Sequence, residues 1–144
     1  MGQVCYCRSA DRWAHFKVIT RSREAGRFLA YDDPKVHGVT CYVSRARTGG
    51  VTGTVGLAED RAEASIACRQ VTDTIHFAEK LPRQEDVFTE RMSILFKRLH
   101  VVRVVDSKRH ALVYLAYSDK LIEGSPKNSI SAVSVPQGTP IPLK

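Results

Sequence analysis

No stretch of this chain approaches the roughly 18–20 consecutive apolar residues that a membrane-crossing helix requires, so none is expected. Catalytic signatures are missing too. There is no Gly-x-Ser-x-Gly elbow and no Ser-x-x-Lys, and the glycines at 50, 53 and 56 match neither a dinucleotide fingerprint nor a P-loop. Histidines stand singly at 15, 37, 76, 100 and 110, with no pair at metal-ligand spacing. Cys5 and Cys7 are too close in sequence to favour a mutual disulfide, and they supply too few ligands for zinc on their own. Asp32 with Asp33, and Glu59 with Asp60, are adjacent, so an extended chain points each pair to opposite sides rather than into an acid/base dyad. No metal and no cofactor is expected. The start, Met1 to Arg8, shows no apolar export signal.

What is present is an ordinary globular composition, 43% hydrophobic and 26% charged over 144 residues, which suits a single domain with its own core. The net charge of +7 invites a nucleic-acid or acidic-membrane reading. Its distribution weakens that reading, because residues 1–30 hold six Lys/Arg against two Asp/Glu, while residues 31–144 hold sixteen against thirteen. Lys97, Arg98, Arg103, Lys108 and Arg109, with Tyr114 and Tyr117 nearby, could line a basic groove with stacking rings. Strands carrying outward cations read the same way and are the favoured expectation, so a nucleic-acid partner is not expected.

Period-two patterns dominate the chain. Phe16 to Ile19 suits a short strand, and Arg21 to Arg27 suits either a helix or a loose segment. Asp32-Asp33-Pro34 is a turn, since aspartate bonds its local backbone and proline removes helical space from the residue before it. Val39, Cys41 and Val43 then alternate with Thr40, Tyr42 and Ser44 as a half-buried strand. Between Leu57 and Val71 two periods compete: Ala58, Ala62 and Ile66 fall four apart, and Ala62, Ala64, Ile66 and Cys68 fall two apart. The expectation is a helical turn over 57–63, then a strand over 64–71, with a further short strand at 74–77. Val87 to Val105 is long for one strand and predicts a bend or bulge. A hairpin turn at 106–109 returns into 111–117, residues 130–135 form a last edge strand, and the Pro-rich tail 136–144 is expected to fray.

Cys41 and Cys68 lie on the apolar faces of predicted strands, 27 residues apart. Spacing leaves two readings open, a disulfide or two buried free thiols.

Several blocks go beyond pattern: Asp32 to Val36, Gly38 to Ala46, Thr48 to Gly50, Gly56 to Asp60, Ser65 to Val71, and Leu115 to Lys120. With Phe96-Lys97, Val101-Val102-Arg103 and the run Glu123-Gly124-Ser125-Pro126-Lys127-Asn128-Ser129-Ile130, they resemble the CreA family of bacterial proteins, in order, over about residues 31–135. The resemblance implies a small, exported, periplasmic protein of Gram-negative bacteria with no assigned activity. That address in turn favours a Cys41–Cys68 disulfide. Residues 1–30 depart from the family pattern and are expected to be an aberrant start of doubtful structure.

The resulting expectation is one α+β domain over 31–135, predominantly an antiparallel β-sheet, half-barrel or sandwich-like, with one or two short helices. Its function is that of a binding or accessory protein in envelope physiology, taking an unidentified small ligand or envelope protein. The alternative is an enzyme with a dispersed polar site around 118–128. The candidate binding residues are His37, Arg45, Ser118, Asp119, Lys120, Ser125, Lys127 and Asn128.

Overall fold

A computed structural model describes residues 3–8, 13–19, 24–45, 64–91, 98–119 and 128–144. Eleven strands run in chain order: β1 (Gln3–Arg8), β2 (Trp13–Ile19), β3 (Glu24–Asp32), β4 (Val36–His37), β5 (Val39–Arg45), β6 (Ala64–Gln70), β7 (His76–Phe77), β8 (Gln84–Arg91), β9 (Arg98–Asp106), β10 (Ala111–Ser118) and β11 (Asn128–Ser134). They form a five-stranded sheet ordered β1-β2-β3-β5-β6, a four-stranded sheet ordered β11-β10-β9-β8, and the small β4-β7 pair. Every pairing between these strands is antiparallel.

The expected α component is corrected: among the described residues there is no helix. Residues 57–63, where a helical turn was expected, lie outside the described residues. In the part that is described, the period of two prevails because Ala64 to Gln70 pairs residue for residue with β5. Of the Arg21–Arg27 stretch, compatible with a helix, residues 24–27 belong to β3, which crosses residue 31 without a break, and residues 21–23 lie outside the described residues. The long β segment from Val87 to Val105 is not one bent strand. It is two antiparallel neighbours, β8 and β9, with a register shift between Asp86 and Phe88. The β9–β10 hairpin and the edge position of β11 stand as expected.

Alternation builds the core. Leu29 and Tyr31 of β3, Val39, Cys41 and Val43 of β5, and Ile66 of β6 face Leu99, Val101 and Val105 of β9, Leu112, Tyr114 and Ala116 of β10, and Val133 of β11. Tyr31 stacks on Phe88, ring centroids 4.9 Å apart. Where the two sheets meet, no ladder joins β6 to β11. Two serines of β11 do so instead: Ser129 Oγ accepts from Ile66 N–H at 3.2 Å and Ser131 Oγ accepts from Cys68 N–H at 2.8 Å. The exposed edge of β6 is thus covered by hydroxyls, which satisfies donors that would otherwise invite another strand. The tail does not fray. Leu81 and Leu143 form a parallel bridge, and Ile141 and Leu143 pack on the core.

Candidate functional site

The expected site residues do not converge as one group. Ser118 and Asp119 end β10 and Asn128 opens β11, opposite Tyr117, so these three share one end of the four-stranded sheet. Arg45, the last residue of β5, pairs with Ala64. The serine bonds from β11 to Ile66 and Cys68 place that strand end beside the start of β11. His37 sits in β4, before β5 begins, so the length of β5, roughly 20 Å, separates it from the others. It pairs with His76 of β7. Lys120, Ser125 and Lys127 lie outside the described residues.

The organising residue at the Asn128 end is one that sequence spacing did not single out. His100, on the solvent-side face of β9, places Nε2 3.0 Å from Asp119 Oδ2 and Nδ1 3.4 Å from Thr89 Oγ1. Its ring stacks on Tyr117, directly opposite on β10, at 5.1 Å. Partial burial raises the Tyr117 phenol above its ordinary value, with Asp86 and Asp119 adding to the effect. Asp119 is fixed further by its own N–H, which donates to the Arg98 carbonyl at 3.0 Å. Toward the middle of the same face the surface turns apolar, with Leu115 between Val102 and Ile130, and Val113 beside Val104. Chemically, the cluster offers a carboxylate, an imidazole, a hydroxyl and a ring pair on an open face.

A second polar cluster is buried. The guanidinium of Arg103 has no exposed surface, and one of its nitrogens lies 2.6 Å from each oxygen of Asp33. Its other terminal nitrogen meets Glu85 Oε2 at 2.6 Å. Asp33 also accepts from Tyr114 Oη at 2.9 Å and from the N–H groups of Lys35 and Val36, the turn bonds expected of an aspartate before proline. Lys35 closes the chain by bonding Glu85 and Glu79. Glu85 and then Glu79 raise the Lys35 ammonium, and Lys35 lowers Glu79. The expectation of outward cations therefore fails at Arg103, because β9 turns it to the same side as Leu99, Val101 and Val105. Tyr114 is equally buried, so it is no stacking ring on a groove.

This burial has a pH consequence. Loss of hydration pushes the phenols of Tyr31 and Tyr114 well above the ordinary 10.0, and the charge of Asp33 adds to both shifts. In the folded protein both keep their protons at a pH where the unfolded chain releases them. Stability is thus fully present below about pH 10 and is lost as pH rises, at about 2.7 kcal/mol per pH unit for the two groups together. Urea unfolding between about pH 9 and 12 checks this, and a flat profile would contradict it.

A shallow depression of about 360 Å³ lies over the end of β6, lined by Tyr42, Arg69, Gln70, Val71, Thr72 and Asp73. Gly38, with φ +95°, packs against Thr72 of its rim, and an added Cβ there would collide with Thr72 Oγ1 and come within 2.7 Å of the Thr74 carbonyl. Among the described residues no group of three metal-ligating side chains converges, and no helix is long and apolar enough to cross a membrane.

Compared with known proteins, the chain matches a family model described as CreA protein over residues 14–138. It is 56% identical over 110 residues to Protein CreA of Escherichia coli strain K12, an alignment covering 74% of this chain and 69% of that protein. Protein CreA of Escherichia coli O157:H7 matches to the same extent. No solved structure matches it.

Proposed function

The chain belongs to the CreA family, and from that premise we propose that it is a periplasmic accessory protein of Gram-negative bacteria that binds an envelope component. The observation that carries the compartment is the disulfide between Cys41 and Cys68, set between paired strands. Such bonds persist in oxidising compartments and are rare in the cytosol. Binding is assigned to the His100 end of the four-stranded sheet, where Asp119, Tyr117 and Thr89 surround the imidazole and Asn128 lies opposite Tyr117, while Ser118 turns to the buried face. Lys120, Ser125 and Lys127 lie outside the described residues, and Arg45 ends β5, whose partner β6 borders β11; His37 stands apart. An open face with an imidazole–phenol stack, a carboxylate and a hydroxyl suits reversible capture of a small ligand or an envelope protein.

One observation favours a second reading, an enzyme. Asp119, His100 and Thr89 stand in line, the order in which acyl-transfer sites place a carboxylate, a base and a hydroxyl. The 3.4 Å step to Thr89 is long for proton transfer, and the line lies on an open face. Binding is the better reading.

Two measurements separate these possibilities. Non-reducing peptide mass spectrometry on alkylated cell fractions is expected to find the linked Cys41–Cys68 peptide in the periplasm; free thiols in a cytosolic protein would sink the proposed address. Hydrolysis of activated esters that disappears in His100→Ala would replace the binder with the enzyme.

A further inference from the structure

Residues 136–144 dock on the rest of the protein in a way that defines a binding rule. After Val135, whose N–H donates to the His110 carbonyl, the chain turns on itself, Thr139 N–H donating to the Pro136 carbonyl at 2.8 Å. It then runs beside Leu81. The Leu81 N–H donates to the Pro142 carbonyl at 2.7 Å, and the Lys144 N–H donates to the Leu81 carbonyl at 2.9 Å. Leu81 is fully buried, and Ile141 and Leu143 are partly buried against the core. Lys144 also helps lower the Glu79 carboxyl, so its charge is felt there.

We propose that the slot beside Leu81 is a peptide-binding groove for an extended segment of a partner protein with the pattern apolar–any–apolar–basic, and that residues 141–144 occupy it in cis. Leu81 lies outside the named strands, so both of its backbone groups are offered to an added strand. The second position of the guest contributes only its carbonyl. Proline is tolerated there because no N–H is asked of it. The flanking first and third positions place apolar side chains against the core, and the fourth supplies a backbone donor and a cation near Glu79. Among the described residues the resident segment is held to Leu81 by two backbone bonds and to the core by two partly buried side chains, and it is reached through residues 136–138, which are exposed. The slot lies before β8, at the opposite end of β8 and β9 from His100, so it does not depend on the binding surface proposed above.

A tethered segment competes at an effective concentration on the order of millimolar, so a free guest is seen only when the resident is weakened. The test uses the full chain, its Leu143→Asp variant and its Lys144→Glu variant, with a dye-labelled Thr-Pro-Ile-Pro-Leu-Lys peptide as the probe and fluorescence anisotropy as readout. Both variants are expected to bind the probe about tenfold or more tighter than the unchanged protein. A probe with Asp in place of Leu should bind none of them. Lys144→Glu changes an exposed residue, so it keeps the test open should Leu143→Asp fail to fold. Absence of probe binding to any folded variant overturns the proposal. A dimer of the unchanged protein that dissociates in Leu143→Asp also overturns it, because the guest is then the same segment of a second copy.

Discussion

Replacing Arg103 by methionine is expected to lower the unfolding free energy by about 3–5 kcal/mol, among the larger losses a single substitution can cause. The guanidinium and the Asp33 carboxylate are both wholly buried, and Glu85 is about three-quarters buried. Taking away the cation strands one carboxylate in the interior and a second at its margin. Asp33 keeps Tyr114 and two backbone N–H donors, which soften the loss without replacing the opposite charge. Against a total stability of about 5–15 kcal/mol, this is roughly a fifth or more of a typical domain's margin. The double variant Asp33→Leu/Arg103→Met should recover part of the loss, since apolar replacements of a buried pair are often neutral or better. Recovery stays incomplete because Asp33 also ties the turn at Lys35 and Val36. Urea unfolding of the four proteins gives the coupling energy, and a value near zero would mean that the pair contributes nothing of its own.

The same residue shows where sequence reading stops. Alternation locates β5, β6 and β10, because each buries one face and a one-residue slip would turn that face out. The Asp33 turn is equally visible, being a contact between residues two and three apart. Arg103 sits in Val101-Val102-Arg103-Val104-Val105, where apolar residues occupy both parities and alternation cannot tell inside from outside. One clue was present: Arg103 shares its parity with Leu99, Val101 and Val105, and so with the core. Its partner Asp33 is 70 residues away, and no local pattern announces that pairing. His100 is the parallel case on the other face. Thr89 comes eleven residues before it and Asp119 nineteen after, and they meet because β8, β9 and β10 are adjacent. Of the sequence candidates, Asp119 and Asn128 fall at this end of the sheet and Ser118 turns to its buried face, while the ring at the centre of the cluster was not visible. The tail failed as an expectation for a similar reason. Proline-rich composition speaks for weak local structure, but the docking of Leu143 on Leu81 is a non-local contact.

Reducing the Cys41–Cys68 bond is expected to cost up to about 3.6 kcal/mol, the loop-entropy value for the closed segment, through a different state of the protein from the one Arg103 stabilises. The bond encloses a separation of 27 residues and joins positions already directly opposite in the β5–β6 ladder. Their strands stay paired on either side, Tyr42 with Ala67 and Thr40 with Arg69, so the folded state loses little when the bond opens. Most of the loss arises because the unfolded chain gains the conformations that the closed loop forbade. That origin leaves a signature. A reduced unfolded chain is more expanded and exposes more surface, so the denaturant slope should rise while the midpoint falls. Arg103→Met instead destabilises the native state and should lower the midpoint at constant slope. Reduction is the cleaner perturbation, because Cys41 is buried and an alanine there would add a cavity cost to the entropic one. Urea unfolding of oxidised and reduced protein, with thiols kept free by a phosphine reductant, measures both quantities. An unchanged slope with a large midpoint drop would place the bond's contribution in the folded β5–β6 ladder and refute the loop-entropy account. A slope that rises with the loss assigns it to the unfolded chain, which in an oxidising compartment never reaches its full freedom.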